Sequence, residues 1–215
     1  MKKLLLQQKT IWVLIIVLVP VLAWLAVTAY ENRYVALPVY STFPAWEIQG
    51  DTALLHNYVL YDQDEHATSL NDSRDKIVIV NYFFTRCPVV CPKMMKQVKR
   101  VRDAFVDDDL VQFRSFSVDP NYDTAIVLRR FAERYGVDGR QWKLVTGDKP
   151  RLYRLARNGF KITATDGDGG PSDFIHSEQL IVLDPRGQIR GYYTGTDPQA
   201  VNQLIHDIKK LEHEL

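Results

Sequence analysis

A run of uncharged, mostly apolar residues at positions 11–29, IWVLIIVLVPVLAWLAVTA, limits the start of this chain to very few structures. The run has about the length, roughly 20 residues, that a helix needs to cross a bilayer. Three lysines precede it, so the positive-inside rule predicts a cytoplasmic N-terminus and places everything beyond Tyr30 outside. We therefore predict a cytoplasmic stub and one transmembrane anchor within residues 1–30.

A cleaved signal peptide is the alternative interpretation of the same run. Val27-Thr28-Ala29 offers small residues at which a peptidase could cut. The apolar run exceeds the roughly 15 residues of a signal h-region, which favours an uncleaved anchor. No Arg-rich, Ser-rich transit sequence is present, which favours a bacterial inner membrane with the rest of the chain on the periplasmic side.

Beyond the anchor, residues 31–50 contain two prolines and show no hydrophobic periodicity, which predicts an extended tether ahead of a domain at 51–215. Strand and helix patterns then alternate, as is typical of an α/β layered domain. The predicted strands are a short one at NYVLY (57–61), 76–84, 110–118, a short one at KLVT, and a hairpin, EQLIVLDPRGQIRGYY, that turns at Asp184–Gly187. The predicted helices are 92–105 with Pro92 at its first position, 123–136, one near PRLYRLARNGF, and the closing DPQAVNQLIHDIKKLEHEL.

Charge and motif content exclude several classes of function. Lys plus Arg number 27 against 26 for Asp plus Glu, so no strong field of one sign exists to attract nucleic acid. Neither a phosphate-cradling glycine loop nor a nucleophile elbow occurs. The stretch TDGDGGPSDFIHSE resembles a calcium loop, but Gly170 and Ser177 stand where ligands belong, which favours a flexible loop.

The chain has only two cysteines, Cys87 and Cys91, each followed by a proline. The first follows a predicted buried strand and the second begins a predicted helix, where unpaired N–H groups stabilise thiolates. The two sulfurs can pair as a disulfide or hold one soft metal ion. A small structural disulfide or two unremarkable thiols remain possible, although closing so short a loop would add little stability.

A tight metal site needs a third ligand, and the chain has five histidines. His176 lies in a loop just before a strand, within reach of the predicted cysteine edge. The others occupy polar or terminal contexts: His56, His66, His206 and His213. Met94 and Met95 fall on the apolar stripe of helix 92–105, which indicates packing rather than ligation.

The segments TRCPVVCP, SVDP, LVTG and FIHSEQLIVLDPRGQIRGYYTG, in this order, resemble the Sco/SenC family of membrane-anchored copper proteins. The resemblance runs from about residue 50 to the end of the chain. It implies a thioredoxin-like fold, with a central sheet flanked by helices, and copper ligated by Cys87, Cys91 and His176. Two thiolates and one imidazole suit Cu(I) and accept Cu(II). Asp119, in SVDP, is a candidate for a supporting role near the metal, with capping of the following turn as the alternative.

The resemblance further implies a metallochaperone that receives copper from an upstream donor and delivers it to the binuclear site in subunit II of cytochrome c oxidase. The alternative is a thiol-disulfide oxidoreductase, in which Cys87 attacks first, the acceptor cysteines are kept reduced, and an external thiol reductant restores the pair. A peroxidase of the peroxiredoxin type is a third, weaker hypothesis. Three residues separate the cysteines, where thioredoxins have two, and this spacing favours metal binding.

Overall fold

The computed structural model describes residues 2–41, 44–45, 60–162 and 177–214. Within these ranges, it describes residues 2–11 and 31–34 by their backbone alone. The first element, α1, is a helix over Lys2–Tyr34 that contains Pro20. Its segment Trp12–Tyr30 is long and apolar enough to cross a membrane, with a mean hydropathy of 2.6, and none of its side chains is buried within the structure.

The remaining elements form a mixed α/β domain. In chain order they are β1 Leu60–Asp62, β2 Ala67–Thr68, a 3₁₀ helix Leu70–Ser73, β3 Ile77–Phe83, α2 Val90–Ala104, β4 Val111–Ser117, α3 Ala125–Tyr135, β5 Trp142–Thr146, α4 Lys149–Arg154, a π-helical turn Leu155–Gly159, β6 Gln179–Leu183, β7 Ile189–Thr194 and α5 Pro198–His213.

The described strands form one seven-stranded sheet in the order β2-β1-β5-β4-β3-β6-β7. The three central strands β3, β4 and β5 are parallel, and the outer strands pair antiparallel. Parallel strands end at the same edge of a sheet, so the loops that follow β3 and β4 lie together. That edge is where the first cysteine is found.

Every residue of β3 is buried, because the sheet is covered on both faces. Ile77 and Ile79 pack into one core with α2, α3 and α5, and Val78 and Val80 pack into a second core with α4 and the π-helical turn. This alternation follows from successive strand residues pointing to opposite faces. The segment KIVIVNYFF at 76–84, in which polar and apolar residues do not alternate, is therefore a central strand buried on both faces.

The predicted elements within the described residues are all present, with boundaries shifted by a few residues. The hairpin turns at Asp184–Gly187, where Gly187 has a left-handed φ of 77°. Pro92 is the third residue of α2 rather than the first, and that prediction was wrong. Proline is accepted there because N–H groups in the first turn of a helix have no partner within it. The edge hairpin of β1 and β2 was only partly anticipated.

The mixed sheet flanked by helices, preceded by one apolar helix, agrees with the predicted α/β fold class. The loop Thr165–Asp173 and the calcium-loop resemblance within it lie outside the described residues, as does His176.

Candidate metal centre

The two cysteines lie on either side of the start of α2. Cys87 belongs to the loop between β3 and α2, and Cys91 is the second residue of the helix. The backbone N–H of Cys91 donates a hydrogen bond to the Sγ atom of Cys87 at 3.3 Å. Cys87 is half-buried and Cys91 is buried, and both are free thiols. The helix start thus supplies a donor to one sulfur while covering the other.

The environments of the two thiols shift their pKa values in opposite directions. Burial raises the pKa of Cys87, but hydrogen bonds to its sulfur from Cys91 and from the N–H groups of Val89 and Val90 outweigh it, so that this pKa lies below its ordinary value. Burial raises the pKa of Cys91 to about 12, and the neighbouring Cys87 and Asp123 add to this rise. Cys87 is therefore the thiol that ionises first.

Both cysteines line one cavity of about 360 Å³. Most of its lining is apolar, contributed by the end of β3 and by the loop and first turn that follow it. Ser177 and Glu178, which precede β6, form another part of the wall. The cavity therefore brings the cysteine loop next to a segment far away in the sequence.

A buried carboxylate fixes the cysteine loop to the loop that follows β4. Asp123 has no exposed surface and accepts hydrogen bonds from the backbone N–H of Thr85 at 3.2 Å, from the Thr85 hydroxyl, and from the Ser117 hydroxyl at 2.6 Å. Burial raises the pKa of Asp123, and these donors oppose the rise. Asp123 thereby positions the residue two before Cys87.

A second contact links the same two loops at the surface. The guanidinium of Arg86 donates to the carboxylate of Asp119 and lies over the ring of Tyr122, 4.1 Å from its centroid. The Asp119 backbone N–H in turn donates to Ser117 Oγ at 3.0 Å. Asp119 therefore contacts the residue adjacent to Cys87.

The structure brings together Cys87 and Cys91, and it connects Asp119 to their loop through Arg86. Met94 and Met95 are fully buried in the core, which confirms their prediction as packing residues. Three of the histidines placed in polar or terminal contexts are exposed: His66, His206 and His213. His56 and His176 lie outside the described residues.

Sequence reasoning missed Thr85, Arg86 and the anchoring role of Asp123. The one available signal is a second aspartate four residues after Asp119, in SVDPNYDT, which the sequence pattern places at the start of helix 123–136. In the structure Thr124, not Asp123, occupies the N-cap of α3. The aspartate is thus free to bind the cysteine loop instead.

Another group of possible ligands, Asp62, Asp64 and His66, has ligand atoms within 4.8 Å of one another. The Asp62 carboxylate already accepts from the backbone N–H groups of Asp64 and His66, and Lys143 Nζ lies 3.2 Å from it. These contacts explain the arrangement as a turn stabilised by a buried aspartate. It needs no ion.

The fold and the two thiols at the start of α2 define a thioredoxin-like domain with a dithiol site. Comparison with known proteins identifies its family. The SCO1/SenC family model matches residues 47–213, and the chain belongs to that family, as its motifs indicated. The SCO1 protein homolog of Bacillus subtilis (strain 168) is 25% identical over 154 residues, covering 71% of this chain and 79% of that protein.

Solved structures show the same fold. A SCO1/SenC family lipoprotein from Bacillus anthracis str. Ames superimposes with a TM-score of 0.64 and 26% identity, covering 72% of this chain and 92% of that one. BsSco is a member of the Sco family of cytochrome c oxidase assembly proteins in which a disulfide switch was identified. It superimposes with a TM-score of 0.62 and 24% identity, covering 73% of this chain and 91% of that one. Arabidopsis thaliana ScoI with copper bound superimposes with a TM-score of 0.58 and 19% identity, covering 73% of this chain and 96% of that one.

Proposed function

We propose that this chain is a copper chaperone for cytochrome c oxidase, holding the metal through Cys87, Cys91 and His176. Family membership supports the proposal, together with the copper bound to ScoI of Arabidopsis thaliana and the oxidase assembly role of BsSco. The acceptor would be the binuclear copper site of subunit II, and a separate donor protein would supply the metal.

The observation that carries the proposal is the shared cavity. Cys87 and Cys91 line it together with Ser177, and Ser177 is bonded directly to His176 in the chain. Covalent connection therefore limits how far the imidazole can be from the two sulfurs. Two soft thiolates and an imidazole suit copper better than they suit harder metal ions.

The thiol environments fit the loading and release of a metal ion. Cys87, half-buried and with a lowered pKa, ionises more readily than Cys91 and is the more accessible of the two thiols. Cys91 has its pKa raised to about 12, so it must give up a proton when it becomes a ligand. Copper uptake should therefore release protons, and an acceptor's thiolates can replace Cys87 first.

Asp119 would support the site through Arg86 rather than by ligation. Its carboxylate fixes the guanidinium of the residue that precedes Cys87. Replacing Asp119 by Asn should leave the copper stoichiometry unchanged and speed copper release, because the loop loses this ion pair while the ligands remain.

The test is copper stoichiometry and X-ray absorption on the purified full chain in detergent. We expect one copper per chain with both sulfur and nitrogen neighbours. Cys87→Ala, Cys91→Ala and His176→Ala should each weaken binding strongly, whereas His206→Ala, an exposed histidine on α5, should not. Unchanged binding after loss of either cysteine would refute the proposal.

The opposite pKa shifts of the two thiols favour a second candidate function, reduction of the acceptor's disulfide. The Cys87 thiolate would attack one sulfur of that disulfide, forming a mixed disulfide and releasing one acceptor thiolate, which takes a proton. Cys91, after losing its proton, would attack the Cys87 sulfur and release the second acceptor thiol. Two electrons pass to the acceptor, the pair ends as a Cys87–Cys91 disulfide, and an external thiol reductant restores it.

Replacing His176 alone separates the two functions. If the chain acts only as a chaperone, His176→Ala loses copper and its loss of function follows the loss of metal. If it acts as a reductase, disulfide exchange with a model substrate survives the same change, whereas Cys87→Ala abolishes it.

The membrane arrangement belongs to the same proposal. Residues 1–30 would form the cytoplasmic stub and the single anchor of the inner membrane, 31–50 the connecting tether, and 51–215 the copper-binding domain on the periplasmic side. The apolar segment Trp12–Tyr30 and the lipoprotein nature of the Bacillus anthracis relative support anchoring. Reporter fusions after residue 10 and after residue 215 would test the orientation.

A further inference from the structure

One buried arginine joins three distant parts of the chain. Arg190, in β7, is only 8% exposed. Its guanidinium donates to the backbone oxygens of Leu37 at 2.7 Å and Pro38 at 3.2 Å, to Asp184 Oδ2 at 3.2 Å and to Glu214 Oε2 at 2.6 Å. We call these five residues the Arg190 clamp.

Further contacts hold the segment after α1 on the domain. The backbone N–H of Leu37 donates to Glu214 Oε1 at 2.8 Å, and its side chain packs against the core. The N–H of Tyr40 donates to the carbonyl of Ile189 at 2.8 Å, and the N–H of Ile189 donates to Ser41 Oγ at 2.9 Å. The segment predicted as a tether is thus bound to the domain from its third residue beyond α1.

The clamp and the cysteines lie at opposite ends of the strands, and we call these two ends the clamp edge and the cysteine edge. β7 and β3 both pair antiparallel with β6, so they run in the same direction. Arg190 is near the start of β7, whereas Cys87 follows the end of β3. At about 3.3 Å per residue, the length of β3 separates the two edges by about 20 Å.

The path from the apolar helix to the clamp is short. The candidate membrane span ends at Tyr30, and α1 continues to Tyr34. The four helical residues add about 6 Å at 1.5 Å each. The three residues from there to Leu37 add at most about 10 Å. The clamp therefore lies within about 16 Å of the end of the apolar span.

We propose that the edge carrying the Arg190 clamp and the Asp184–Gly187 turn lies against the bilayer surface, and that the cysteine edge faces away from it. This inference rests on the proposed anchoring by α1 and not on copper binding. A domain held by one edge within so short a reach cannot turn its opposite edge to the lipid. The acceptor would then meet the dithiol site about 20 Å further from the membrane than the clamp.

The test measures the distance of each edge from the lipid in the full chain reconstituted in vesicles. Cys87 and Cys91 are both replaced by Ser, and a single spin-labelled cysteine is introduced as Arg186→Cys in the hairpin turn or as Asn121→Cys at the cysteine edge. Relaxation by Ni²⁺ chelated to lipid headgroups reports proximity. We expect strong relaxation of the label at position 186 and weak relaxation of the label at position 121.

Two changes should reduce that difference, and the second should remove it. Arg190→Ala removes the guanidinium bonds to Leu37 and Pro38 but leaves the bonds that join Leu37 to Glu214 and Tyr40 to Ile189. A flexible Gly-Ser insert between Val35 and Ala36 lengthens the connection without touching the domain. Arg140→Ala, which removes an arginine with 73% side-chain exposure, is the matched control and should preserve the difference. The insert keeps the test decisive if Arg190→Ala does not fold.

Equal relaxation at the two positions in the otherwise unmodified chain would overturn the inference. A difference left undiminished by both the insert and the Arg190 change would overturn the role of the clamp and the short connection in setting that orientation. Because the labelled chains lack both cysteines, these outcomes are independent of copper. A chain that fails to float with the vesicles would refute the anchoring itself, and the orientation with it.

Discussion

Replacing Thr85 by Val should destabilise the domain by removing one hydrogen bond from a buried carboxylate while preserving the shape of the side chain. Asp123, with no exposed surface, accepts from the Thr85 hydroxyl, the Thr85 backbone N–H and the Ser117 hydroxyl. Valine cannot supply the first of these. The other two donors remain, so the change isolates a single interaction.

A hydrogen bond to a charged group contributes about 1.5–3 kcal/mol to stability. Thr85 is half-buried, so water can partly compensate, and we expect a loss near the lower end, about 1.5 kcal/mol. That corresponds to about a tenfold shift in the unfolding equilibrium. Because the loop carries Cys87, the variant should also alkylate faster at this thiol.

The loss should depend on pH with a defined sign. Burial raises the pKa of Asp123 above 3.8, so stability from this group falls as the pH rises through its folded pKa. The Thr85 hydroxyl stabilises the ionised form, and removing it raises the folded pKa further. The difference in free energy of unfolding between wild type and variant is therefore largest above both folded pKa values of Asp123. It decreases as the pH falls through them.

Urea denaturation of the full chain in detergent, followed by circular dichroism across a pH series, measures both quantities. Thr194→Val, at an exposed position of β7, is the matched control and should change stability by less than about 0.5 kcal/mol. A deficit at neutral pH no larger than the control's would refute the reasoning. A deficit that stayed constant into the acid range would show that Asp123 is not the partner that matters.

Two further changes test other parts of the structure. Burial, reinforced by Asp108, raises the pKa of Glu212 from 4.5 to about 7. Protonated Glu212 therefore stabilises the folded chain fully below pH 4.5, and this contribution is lost as the pH rises through about 7. Glu212→Gln should therefore raise the urea midpoint over wild type above pH 7 and lose that advantage in acid; no change with pH would contradict this assignment. Leu204→Ala, at a fully buried position of α5, should cost about 2–5 kcal/mol in urea denaturation, whereas Ile126→Ala, at an exposed position, should cost less than about 0.5 kcal/mol.

The sequence predicts the layers of this fold because its strongest patterns are local. The β-branched segment 76–84 is typical of a strand buried on both faces, and Gly136, with a φ of 68°, ends α3 where the pattern stops. The cysteines are found by composition alone. Pro92 misplaced the start of α2 because proline is acceptable anywhere in the first turn.

The connections between loops could not be predicted in the same way. Thr85 and Asp123 are 38 residues apart, and Arg190 and Leu37 are 153 apart. No periodicity links such pairs, and an aspartate before a helix has a simpler local explanation as a cap. Only the folded sheet, by placing the ends of β3 and β4 side by side, shows which carboxylate the cysteine loop binds.

The segment Leu37–Ser41 has a further consequence for the sheet. β7 is a terminal strand, and backbone groups on its open side could pair with a strand of another molecule. Tyr40 and Ser41 occupy the amide and carbonyl of Ile189 on that side. A soluble fragment that begins after Ser41 would expose them and should self-associate, whereas one that begins at Val35 carries its own protection against aggregation.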